Sequence, residues 1–241
     1  SLWLLHGQAL LRRWDGELDA AVPLLEQARR LAHRLEDRWE ECRCLVCLTM
    51  IHLERSDSRA SLACVDELLP LASKMGEGGE LPFGRVLQAL VQSSLGQAGA
   101  QERLESALDE LRSIDSKARL AYALNAVGEL ALADGRFGRA REVAQEALAA
   151  ARATRRVCEA VRSQALLSRV LAAQGEHSAA RACLEPVLEH LGNRDALSEG
   201  ARQVALRAAA ELGLCVQTLV QTPRPEDHTQ REGGHNAAHH C

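Results

Sequence analysis

The sequence predicts an all-α fold, an α-solenoid of antiparallel helical hairpins, and three observations carry that reading. Small residues recur at Ala21, Ser61, Ala100, Ala140 and Ala180, in steps of 40, 39, 40 and 40 residues. Apolar residues follow at constant offsets: Leu25, Val65, Leu104, Ala144 and Leu184 four positions on, then Ala28, Leu68, Ala107, Ala147 and Val187 after three more. Ahead of these stripes lie turn signals, Asp15-Gly16, Ser56-Asp57, Asp134-Gly135 and Gln174-Gly175. A period of this length marks stacked helical units, each unable to bury its apolar face without a neighbour.

Each unit reads as helix A, a tight turn and helix B. Helix A of unit one runs from about Ser1 to Trp14 and fits the register least well. Unit two turns at Ser56-Asp57; unit three uses the looser Leu95-Gly96-Gln97-Ala98-Gly99. Met75-Gly76-Glu77-Gly78-Gly79 precedes unit three and predicts a flexible break where the array bends. Unit four is the clearest, with Leu120, Leu124, Val127, Gly128 and Ala131 before the turn and Phe137, Ala140, Ala144, Ala147 and Leu148 after it. In unit five Leu166, Leu167, Val170 and Leu171 lead to Ala180, Leu184, Val187 and Leu188. Pro70 and Pro186 lie within B helices, where the missing N–H predicts a kink or shortening.

Beyond unit five, Leu197, Ala201, Val204, Ala205, Ala208 and Leu212 describe an amphipathic capping helix that ends at Gly213. The repeat domain is therefore expected over 1–221. The tail 222–241, rich in Pro, Gly and polar residues without a period, is expected to be disordered. Small residues have a steric purpose in this scheme. Ala140 lets helices A and B of one hairpin cross closely, and Gly128 does the same against the following unit.

Composition narrows the function classes. A net charge of −4 gives no basic footprint for nucleic acid, and six aromatic residues (Trp3, Trp14, Trp39, Phe83, Tyr122 and Phe137) are too few to stack bases. No apolar run approaches the roughly 18 residues of a membrane span, and no secretory signal is recognisable at the start. Eight cysteines, mostly inside helical patterns, do not suit a disulfide scaffold. A cytoplasmic setting is the expectation. The chain opens at Ser1 inside an apolar stretch and reads as a piece of something longer, with self-association through open terminal helices as a further expectation.

Gly128, Gly135, Ala140 and Ala147, echoed by Ser168, Gly175 and Ala180, resemble the tetratricopeptide repeat family over about residues 1–192. Two features depart from that family: its period is about 34, and its aromatic positions are Leu or Ala here. The longer period is similar to that of repeats in bacterial signalling proteins and regulators. The resemblance implies a right-handed superhelix and a non-enzymatic scaffold that binds a protein or peptide partner in a concave groove lined by A helices. The alternative it implies is a regulatory or sensor segment of a larger bacterial ATPase, kinase or transcriptional regulator. Mapped through the register, the groove takes Arg43 and Met50 from unit two, and Arg85 and Gln92 from unit three. Unit four supplies Tyr122, Asn125 and Glu129; unit five supplies Arg162 and Arg169. Asn125 stands where relatives grip a peptide backbone or terminal carboxylate, and the arginines offer bidentate contacts to acidic groups.

Other clusters read as structural. On one helix Cys42 and Cys44 point about 200° apart, so Cys42-x-Cys44-x-x-Cys47 cannot converge on one ion and its thiols are expected to pack as small buried apolar groups. His228, His235, His239, His240 and Cys241 read as incidental to a solvated tail. Arg29, Arg30, Arg34 and Glu26, like Glu105, Asp109 and Glu110, read as ordinary surface charges on B helices. No phosphate-binding loop or nucleophile–base pair appears, so no enzyme activity, cofactor or metal centre is expected.

Overall fold

The computed structural model describes residues 1–76 and 79–214, and there the chain is all-α. Eleven α-helices follow one another: α1 (Leu2–Trp14), α2 (Leu18–Arg34), α3 (Arg38–Glu54), α4 (Ser58–Lys74), α5 (Glu80–Ser94) and α6 (Ala100–Arg112) form the first three hairpins. Then come α7 (Lys117–Ala133), α8 (Phe137–Ala153), α9 (Val157–Ala173), α10 (His177–Leu191), a 3-10 turn (Arg194–Ala196) and α11 (Glu199–Glu211). These are the five expected hairpins plus the cap. The expected break at Glu77-Gly78, the extension beyond Leu214 and the tail 222–241 lie outside the described residues.

One turn motif ends most of these helices. Gly16, Gly135 and Gly175 hold φ of 80°, 71° and 83°, the left-handed region that glycine enters without a Cβ penalty. At each, the glycine amide and the one after it reach back to free carbonyls of the last helical turn, as in Gly16 N–H to Arg13 O at 3.1 Å and Glu17 N–H to Arg12 O at 2.8 Å. Ser56 serves unit two in the same way at φ 57°. Glu36 and Arg155, at 57° and 53°, repeat the geometry between hairpins. Asp37 and Asp57 then cap the following helices, their carboxylates accepting from Glu40 N–H at 3.0 Å and Ala60 N–H at 3.1 Å. The expected shortening at proline does not occur: α4 runs on through Pro70 and α10 through Pro186. Proline removes one backbone donor from each helix, and packing of the apolar stripe holds the helix together around it.

Packing joins each helix to the next, and α3, α5, α7, α9 and α11 also touch one another in sequence. One apolar seam runs from Leu2 of α1 through Leu45, Leu87 and Leu124 to Ala147 of α8. A second takes over at Ala131 and continues through Leu166 and Leu184 to Leu212. Ala21, Ser61, Ala140 and Ala180 are completely buried, and Ala100 nearly so. Gly128 sits where a Cβ would stand 2.4 Å from Leu166 Cδ2 and 3.1 Å from Val143 Cγ2, so the absent side chain lets α7 close on both α8 and α9. Near the array's two ends the chain meets itself: a Cβ on Gly16 would lie 2.8 Å from Glu199 Cγ, at the start of α11. The outer side of α1 stays apolar and open, with Trp3 and Leu11 62% and 65% exposed. Among the described residues no helix is long and apolar enough to cross a membrane.

Two glycine substitutions separate close packing from helix propensity. Gly128→Ala should lower unfolding free energy by about 1–3 kcal/mol through overpacking. Gly138→Ala, where nothing lies within 4 Å of a new Cβ, should raise it by about 0.5–1 kcal/mol. Urea titration of both variants measures the contrast, and equal responses would remove the steric role given to Gly128.

Candidate functional site

Several polar side chains of the A helices reach the next A helix, one repeat away. Arg13 of α1 pairs with Glu54 of α3 at 2.6 Å, and Glu80 of α5 with Arg119 of α7. The Arg119 guanidinium also lies 5.7 Å over the Phe83 ring, which meets Tyr122 edge-on at 5.9 Å. Arg169 of α9 bridges two carboxylates, Glu129 of α7 at 2.7 Å and Glu211 of α11 at 2.8 Å. Desolvation would lower the Arg169 pKa, but the two carboxylates outweigh it and the pKa rises.

Tyr122 stands at the centre of this face. Burial pushes its phenol above the ordinary value, while the nearby charges of Arg13, Glu54, Glu159 and Arg162 act in opposing directions. Side chains of α1, α3, α7 and α9 thus share one electrostatic neighbourhood.

The expected groove residues divide by partner. Asn125, only 6% exposed, donates to the Glu159 backbone oxygen at 3.1 Å and its carboxylate at 2.9 Å. Its own carbonyl accepts from Ser163 at 2.8 Å. The amide expected to hold a peptide instead binds α9 to α7. Arg43 pairs with Glu40 at 2.9 Å, and Met50 packs against the apolar seam. Arg85 and Gln92 turn toward α6 of their own hairpin, where they meet Glu110 at 2.6 Å and Arg103 at 2.6 Å. Three of the four arginines expected to receive a partner's carboxylate therefore already hold one of this chain's own. Arg162 is different: among the described residues it has no carboxylate partner, and its guanidinium lies against Gly200 of α11, where a Cβ would be 2.6 Å from Nη2.

The B helices carry a matching set of contacts. Arg29 reaches from α2 to Glu67 of α4, Arg112 binds Glu146 of α8 at 2.6 Å, and Arg139 returns from α8 to Glu105. These charges, read from sequence as ordinary surface pairs, connect successive units.

Sequence reasoning missed one cluster. Cys42 and Cys44 do face opposite ways, Cys42 to Met75 Sδ at 3.2 Å and Cys44 toward α1. There Cys44 Sγ lies 3.7 Å from His6 Nδ1, and Glu40 Oε1 touches the same nitrogen. All three side chains are buried. Neither His6 nor Glu40 belongs to a motif; only the packing of α1 on α3 brings them together.

No family model matches this chain, and no curated protein matches it either. The fold has a structural counterpart. The crystal structure of BtubC (BKLC) from P. vanneervenii is similar at a TM-score of 0.54 and 18% identity, covering 97% of this chain and 85% of that one. The shared property is the stacked helical architecture.

Asn125→Ala should lower stability by about 1–3 kcal/mol, because it removes both hydrogen bonds to Glu159 and leaves the buried Ser163 hydroxyl with the Glu159 backbone oxygen alone; chemical denaturation tests this. A second measurement concerns His52, buried at the end of α3. Desolvation lowers its pKa, opposed by Asp57 and Glu26 and assisted by Arg55. A histidine neutral in the folded state and basic when unfolded contributes stability above about pH 6.5 that is lost as pH falls through the folded value. Urea midpoints taken from pH 7.5 to 5.5 should fall less steeply for His52→Leu than for the natural sequence.

Proposed function

We propose that this chain is a non-enzymatic interaction scaffold, a right-handed superhelix of tetratricopeptide-like hairpins that binds a protein or peptide on the inner face of its A helices. The observation that supports this reading is the succession of A helices packed side by side, with polar groups gathered along one face from α1 to α11. Most of those groups are committed to one another. The partner's carboxylate is therefore assigned to Arg162, whose guanidinium lies against Gly200 of α11. A guanidinium at a part-buried site offers paired N–H donors to a planar acid, which lysine cannot match. Further along α9, Glu129, Arg169 and Glu211 form a preformed ion triplet.

The setting we assign is a reducing cytoplasm, supported by Cys42, Cys44, Cys47, Cys64, Cys158 and Cys183, all unpaired thiols. The open apolar side of α1, with Trp3, Leu4 and Leu11, gives the same scaffold a surface for self-association.

Affinity capture with the natural sequence, followed by quantitative comparison with Arg162→Glu, tests the groove. The charge reversal should reduce recovery of the captured partner at least about tenfold, in the range expected when a charged contact is replaced by repulsion. Undiminished capture, with circular dichroism showing an intact helical fold, would move the binding surface elsewhere.

A further inference from the structure

We infer that His6, Glu40 and Cys44 form a three-ligand site for a zinc-like divalent ion, held between α1 and α3. Their donor atoms all lie within 4.8 Å of one another. The separation of 3.7 Å between Cys44 Sγ and His6 Nδ1 matches tetrahedral zinc, whose bonds of about 2.0–2.1 Å to nitrogen and 2.3 Å to sulfur set those ligands about 3.5 Å apart; the His6–Glu40 contact is closer than two zinc ligands stand, so an ion would enter by parting that pair.

The direction of approach favours an ion over a proton relay. A nucleophilic thiol needs one imidazole nitrogen and its orienting carboxylate the other. Here the carboxylate and the thiol both converge on Nδ1. One nitrogen carries at most one proton, so it cannot serve both partners. Apart from that close contact with Nδ1, Glu40 Oε1 meets no hydrogen-bond donor, although the side chain is completely buried. An unsatisfied buried carboxylate oxygen is costly, and a cation at the point of convergence would satisfy all three donors together.

The surroundings agree with this assignment. Arg43 holds the other oxygen of Glu40 at 2.9 Å, fixing the carboxylate as outer-sphere partners of metal ligands do. Metal binding requires the Cys44 thiolate and releases the thiol proton. Mixed nitrogen, oxygen and sulfur donors select zinc or cobalt over magnesium and calcium, which take oxygen alone. Such an ion would tie the first hairpin to the second by bonds that the repeat pattern does not supply.

Cobalt(II) titration of the full chain tests the site. One ion per chain is expected, with a sulfur-to-cobalt charge-transfer band in the near ultraviolet that zinc abolishes, and about one proton released per ion. Cys241→Ser, which removes the thiol beside the tail histidines, should keep the band. Cys44→Ser should lose it, and His6→Ala should weaken binding at least about tenfold. Absence of the band from the natural sequence, or its survival in Cys44→Ser, overturns the site. Should Cys44→Ser not fold, alkylation of the natural sequence decides: zinc must slow labelling of Cys44 relative to Cys64, and equal slowing at both thiols overturns the assignment.

Discussion

The apolar seam shared between neighbouring hairpins is the constraint on which the rest of this structure depends. A central hairpin has apolar residues on both sides of its A helix, and one B helix cannot cover them all. In α3, Leu45, Leu48 and Ile51 are all buried, as are Cys42 and Cys44 on opposite faces, because α1, α2, α4 and α5 surround them between themselves. Each unit is therefore stable only through its neighbours, in the additive, nearest-neighbour manner of repeat proteins. The passage from the first seam to the second within α7 and α8 keeps the interior hairpins packed against apolar neighbours.

Upon this seam lies a second layer of order, built from polar contacts that span roughly one repeat. Arg13–Glu54, Glu80–Arg119, Glu129–Arg169, Arg112–Glu146 and Glu105–Arg139 join residues 41, 39, 40, 34 and 34 positions apart. Part-exposed pairs of this type contribute only about 0–1 kcal/mol each. Their value lies in geometry: each restrains the rotation of one hairpin against the next. They also leave few arginines of the A helices without a carboxylate of this chain, and among the described residues Arg162 is one.

Much of the fold was legible in the sequence because it rests on local rules. The left-handed glycines at 16, 135 and 175, the small residue early in each B helix and the close approach at Gly128 all follow from sterics within one or two helices, and each lies where the period places it. Element boundaries followed from the same signals, apart from the continuity of α4 and α10 through their prolines, where tertiary packing overrides a local preference. The site was less legible. Register identifies which positions of the A helices share one side, and Glu129 and Arg169, one repeat apart, do meet. It cannot tell whether an inward polar group finds a partner one repeat away, and so Asn125 reads as free when it is bound to Glu159 and Ser163. His6 and Glu40 lay further beyond reach, since their meeting with Cys44 depends on how two helices separated by α2 settle against each other.

Repeat arrays ordinarily fray from their ends, because a terminal unit has a neighbour on one side only. The approach of Gly16 to Glu199 changes that balance. Loosening the first turn takes a neighbour from the start of α11, and melting of α11 takes one from the first turn. The two extremities thus meet by direct touch as well as through the intervening helices, and fraying at one end is felt at the other.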